Sequence, residues 1–153
     1  MTSNYYSPNP VYTINNSMTT KKPKKLHTIL VIEDERPLVQ VIQKKLEANG
    51  FDVITARTID QGLDYLNEIR TIDAIWLDHY LIGDKTGLDL VIQLKSAGST
   101  WEHIPIFVVS NTASNENLRS YIGLGVSKYC VKADNRLDEM VTNIKAFLKK
   151  GDK

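Results

Sequence analysis

The stretch 73-DAIWLDHYLIGDKTGLDLV-91 decides how this sequence folds. Ala74 to Leu77 is an unbroken apolar run, the pattern of a short strand covered on both faces. The run stops at Asp78, a polar loop follows to Gly87, and GLDLVIQLKSAG then resumes with helical spacing. A carboxylate at the end of a core strand is costly unless something there requires it. What requires it is the question the flanking sequence answers.

Outward from this unit the same alternation recurs. Upstream, HTILVIED reads as a strand that stops at acids. RPLVQVIQKKLEANG reads as a helix with Leu38, Val41, Ile42 and Leu46 on one face, Pro37 in its first turn and Gly50 to end it. FDVITA is a second strand, and TIDQGLDYLNEI a helix opened by Thr58 and Gln61 at capping-box spacing, with Ile59, Leu63 and Leu66 on one side. Downstream, IPIFVV and VSKYCV are strands four and five, separated by the helix SNENLRSYIGLG. NRLDEMVTNIKAFLKKG closes the series, with Leu137, Met140, Val141, Ile144, Phe147 and Leu148 in one stripe and lysines in the last turn. Strand and helix thus alternate five times over residues 26–150. This is the signature of one doubly wound α/β domain, with right-handed crossovers and a parallel sheet flanked by helices on both faces.

The totals fit a single domain: 153 residues, 42% hydrophobic and 24% charged. Nineteen basic and eighteen acidic residues leave a net charge of +1, far from the basicity of nucleic-acid domains. The lone Cys130 excludes an intrachain disulfide and a thiolate zinc cluster. Residues 1–25, rich in Asn, Ser, Thr and Pro and ending in Lys21-Lys22-Pro23-Lys24-Lys25, read as a disordered tail, and residues 151–153 as a short C-terminal one. Neither a membrane span nor a signal peptide is apparent, so a cytoplasmic protein is expected.

Open parallel sheets bind ligands beyond the carboxyl ends of their strands. There this sequence places Glu33, Asp34 and Glu35 after strand one, Asp78 at the end of strand three, Ser110, Asn111 and Thr112 after strand four, and Lys132 after strand five. Two bare carboxylates roughly 4 Å apart repel by about 4 kcal/mol at an effective dielectric of 20. Such a cluster takes up protons or holds a cation, and an all-oxygen donor set suits Mg²⁺.

ILVIEDE, Asp78 with its loop to Gly87, IPIFVVSN and YCVKA together resemble the receiver domain of two-component response regulators, over residues 26–150. The resemblance implies a flavodoxin-like (βα)5 sandwich with strand order 2-1-3-4-5. It also implies that Asp78 accepts a phosphoryl group from a sensor histidine kinase or a histidine phosphotransfer protein. Mg²⁺ would be held by Asp34, Asp78 and the backbone carbonyl of Tyr80, with Glu33 acting directly or through water. Lys132 and Ser110 would bind phosphate oxygens, and Ser110 and Tyr129 would form the switch. The face of helix four, strand five and helix five would then bind a downstream protein, with no direct nucleic-acid contact and no membrane insertion. That makes the chain a phosphoprotein rather than a turnover enzyme. With no output domain after Lys153, it is expected to be a stand-alone receiver.

Two features depart from the family pattern. Ala133 follows Lys132 where proline, often with a cis bond, is usual. Gly87 arrives one residue late, and the loop before it lacks the usual proline. His79, although next to Asp78, points the other way if the strand alternates, and is read as structural. These departures leave a second reading, a phosphorylation-independent interaction module on the same fold. A dinucleotide site is excluded because VIEDERP contains no glycine.

Overall fold

The computed structural model describes residues 25–152. Ten elements alternate: β1 (His27–Ile32), α1 (Arg36–Ala48), β2 (Phe51–Ala56), α2 (Ile59–Glu68), β3 (Ala74–Asp78), α3 (Gly87–Leu94), β4 (Ile106–Ser110), α4 (Asn115–Gly123), β5 (Lys128–Val131) and α5 (Leu137–Gly151). All strand pairs are parallel and the sheet order is β2-β1-β3-β4-β5, as expected. The basic N-terminal tail up to residue 24 lies outside the described residues.

The period-two geometry of the strands divides the core into two layers. Ile29, Val31, Ala74, Trp76, Phe107 and Val109 face α1 and α5, where Ile42, Leu46, Met140, Val141, Ile144 and Leu148 meet them. Leu30, Ile32, Ile75, Leu77, Ile106 and Val108 face α2, α3 and α4, against Ile59, Leu66, Leu90, Leu94 and Tyr121. Each large apolar side chain so buried contributes about 2 kcal/mol. No helix among the described residues is long and apolar enough to cross a membrane.

Local signals work as read. Thr58 Oγ1 accepts from Gln61 N at 3.1 Å, while the Gln61 side chain reaches one residue further back, accepting from Arg57 N at 2.8 Å. Gly50, at φ +85°, turns the chain out of α1, a conformation that favours glycine.

Two sequence expectations are corrected. Val41 is 53% exposed: α1 packs through the row Leu38, Ile42 and Leu46, and Val41 lies at its margin beside Lys44, Lys45 and Leu137. Phe147 is likewise exposed, its ring perpendicular to that of Phe107 with centroids 5.6 Å apart. α5 runs through Gly151, the last residue of the helical stretch read from the sequence, with lysines in its final turn and Asp152 held by His27 at 3.1 Å.

Candidate functional site

Strand register brings the singled-out residues into one rank. Ile32 pairs with Leu77, so Glu33 and Asp34 emerge beside Asp78, and Glu33 N still donates to Ala56 O of β2 at 3.0 Å. Asp78 pairs with Val109 and Ser110 with Val131, while Lys132 N donates to Ser110 O at 2.8 Å. Acids from β1 and β3, a hydroxyl from β4 and an amine from β5 therefore share the carboxyl edge of the sheet.

Carboxylate oxygens of Glu33, Asp34 and Asp78 lie within 4.8 Å of one another. Glu33 and Asp78 are buried, Asp34 half-buried. Lys132 Nζ sits 3.1 Å from Glu33 Oε2 and 3.3 Å from Asp78 Oδ1. The second contact is an ion pair without hydrogen-bond alignment, so Asp78 Oδ1 is buried with no hydrogen bond among the described residues. Glu33 is the more firmly held, its Oε1 also accepting from Glu35 N at 3.2 Å.

This arrangement shifts protonation. Burial, reinforced by the Glu33 charge and opposed by Lys132, raises Asp78 to about 6. Burial also raises Glu33, against the pull of Lys132. For Lys132 itself burial works downward, but the Asp78 and Glu33 carboxylates outweigh it and the ammonium is held above its ordinary value. One cation thus faces three acids, an imbalance of charge that a further cation would relieve. The unbonded Asp78 oxygen and the all-oxygen donor set fit a hard divalent ion such as Mg²⁺.

Ser110 is fully buried, its Oγ 3.2 Å from Thr112 Oγ1 and accepting from Thr112 N at 3.2 Å. Tyr129 is partly buried, and its hydroxyl donates to Thr112 O at 2.9 Å. The Tyr80 side chain is half-exposed at the mouth, standing edge-on to His79 with ring centroids 4.4 Å apart. The Lys132–Ala133 bond is trans, since no peptide bond among the described residues is cis. The late glycine is explained by packing: a Cβ on Gly87 would lie 2.7 Å from Asp78 O and 3.0 Å from Tyr121 Oη. Gly87→Ala should therefore cost about 2 kcal/mol in urea unfolding, an overpacking penalty borne by the backbone of the site itself.

Three participants escaped the sequence reading. Arg57 donates from Nε and Nη2 to the Asp34 carbonyl, at 3.3 and 3.1 Å, fixing the acidic loop. Its signal was its place immediately after strand two. Tyr121 of α4 is fully buried with its hydroxyl on His79 Nδ1, and burial drives its ionisation upward. Asn117 Nδ2 donates to His79 Nε2 at 3.3 Å. His79 follows the strand parity away from the acids, as expected, and burial lowers its pKa.

Comparison with known proteins agrees with this geometry. The response regulator receiver domain profile matches residues 29–145. The transcriptional regulatory protein CpxR of Escherichia coli K12 is 32% identical over 127 residues, which are 82% of this chain and 50% of CpxR. The chain thus spans about half the length of that relative. A CheY-like receiver domain protein of Methanospirillum hungatei superposes with a TM-score of 0.72 at 24% identity, over 82% of this chain and 96% of that one. The phosphorylated cyanobacterial phytochrome response regulator RcpA gives 0.68 at 24% identity, over 80% and 91%. The fold, the acidic cluster at the strand ends and the profile match converge: this chain belongs to the response regulator receiver domain family of two-component systems.

Proposed function

We propose that the domain is a phosphorylation switch whose acceptor is Asp78, loaded by a histidine kinase or a histidine phosphotransfer protein. The observation that carries this is the buried, unbonded Asp78 oxygen, poised beside Lys132 at the cluster mouth. A carboxylate oxygen of Asp78 attacks the phosphorus of a phosphohistidine. The P–N bond breaks, and its electron pair returns to the donor's imidazole nitrogen, which takes up a proton.

Lys132 holds one phosphoryl oxygen, and the Ser110 hydroxyl donates to another. Asp34, Asp78 and the Tyr80 carbonyl, with Glu33 direct or through water, would hold Mg²⁺, which would supply neutralising charge to the acids and to the incoming group. Phosphorylation adds about −1.5 to −2 charges. Drawing Ser110 toward that charge loosens its contact with Thr112, whose carbonyl holds Tyr129. The surface of α4, β5 and α5 then changes preference for a downstream protein. RcpA, a structural relative, has been solved in phosphorylated form.

The test is intact mass after incubation with acetyl phosphate and Mg²⁺. Gain of one phosphoryl group is expected, and so is binding of beryllofluoride with Mg²⁺. Mg²⁺ alone should raise the melting temperature at pH 7.5 and do so less at pH 5, where Asp78 is protonated. Failure of both phosphoryl transfer and beryllofluoride binding would leave the phosphorylation-independent interaction module instead.

A further inference from the structure

Both ring nitrogens of His79 engage α4. Asn117 Nδ2, which only donates, lies 3.3 Å from Nε2, so Nε2 accepts. The neutral imidazole then carries its proton on Nδ1 and donates to Tyr121 Oη at 2.5 Å. The hydroxyl also lies close to Gly87, where a Cβ would come 3.0 Å from it. Gly87 in turn is tied to β3 by its N–H on His79 O at 2.9 Å. The residue after the acceptor therefore fastens the body of α4, and the start of α3, to the end of β3.

These contacts close a loop with the phosphoryl-binding side. His79 meets Tyr121 edge-on at 5.6 Å, and Tyr121 meets Tyr129 at 5.6 Å. Tyr129 donates to Thr112, which holds Ser110. Ser110, Thr112 and Ser114, the residue capping α4, lie on one short connection. A group that captures the Ser110 hydroxyl pulls this connection toward Asp78, and the His79 contacts hold the helix where it is. Moving α4 off them would strand a buried N–H and a buried hydroxyl.

We propose that His79, with Tyr121 and Asn117, is a latch that sets the resting position of α4 and opposes the signalling state. His79 is a positioning residue here and takes no part in phosphoryl chemistry. The proposal rests on Asp78 being the acceptor.

Reciprocal linkage supplies the test: what holds α4 in the resting state also weakens binding of the phosphoryl analogue. Tyr121→Phe keeps the ring and removes the hydroxyl, and should tighten beryllofluoride binding in Mg²⁺ by about fivefold. Asn117→Ala should act in the same direction by less. Amide exchange in α4 of unliganded Tyr121→Phe should quicken while β3 and β4 are unchanged. A bond that merely stabilised the fold would leave the affinity equal or weaker in both variants, and that result overturns the latch. If the parent itself binds no beryllofluoride and takes up no phosphoryl group, the acceptor reading fails separately. The latch is then overturned if α4 exchanges no faster in Tyr121→Phe than in the parent.

Discussion

Asp78→Asn is expected to take up no phosphoryl group from acetyl phosphate, and yet to outlast the parent in urea at pH 7.5 without divalent ions. Both halves follow from one buried carboxylate. The amide oxygen is no nucleophile toward phosphorus, so transfer is lost outright. The stability gain comes from the raised pKa. A carboxyl near 6 in the folded chain and at its ordinary 3.8 when unfolded favours folding while protonated. That advantage is complete below the unfolded value and is lost as pH rises through about 6. Above it, the ionised group destabilises the fold by about 3 kcal/mol, from a 1.36 kcal/mol equivalent per pH unit. Asparagine escapes that penalty but keeps a buried polar group, so a net gain of about 2 kcal/mol, or roughly 5 °C, is expected at pH 7.5. The gain should shrink steadily between pH 6 and pH 4. A variant equally stable or weaker at pH 7.5 would mean that Asp78 carries no such penalty.

Lys132→Met is the opposite case and should be damaging on both counts. Lys132 is the cation that faces Glu33 and Asp78, both nearly inaccessible to solvent. Removing one partner of a buried ion pair costs about 3–5 kcal/mol, because the remaining charge is left without compensation. Protonation relieves that loss, since burial already raises both acids. The deficit should therefore be about 3 kcal/mol at pH 7.5 and smaller at pH 5, read from urea midpoints without divalent ions. Phosphorylation by acetyl phosphate should slow roughly 100-fold, the usual effect of losing one donor to a developing anionic oxygen. An unchanged rate would remove Lys132 from the chemistry, leaving it a structural counter-ion.

The strand ends were the most legible part of this sequence. Apolar runs that halt at charged or hydroxylated residues can be located from composition alone, and parallel register then aligns them without further information. That is why Asp34, Asp78, Ser110 and Lys132 emerge as a group. Helix faces were less legible at their edges: Val41 and Phe147 fit an apolar stripe, but a stripe does not reveal how wide the covering surface is. Arg57 visibly follows strand two, but what it does is not legible, because its role is to bind a backbone carbonyl, for which no residue pairing can be read in sequence. Tyr121 reads as one more apolar residue of a helix. Only the closeness of Gly87 and His79 makes its hydroxyl consequential.

Asp78 and His79 are consecutive, yet they belong to opposite layers of the core. One peptide unit therefore separates the acidic cluster from the side chain that engages α4. On the latch reading, a substitution on the α4 side leaves the carboxylates in place and yet changes how tightly the phosphoryl analogue is held beside them. On that reading the sheet is a shared wall, and what changes on one face of it is felt on the other.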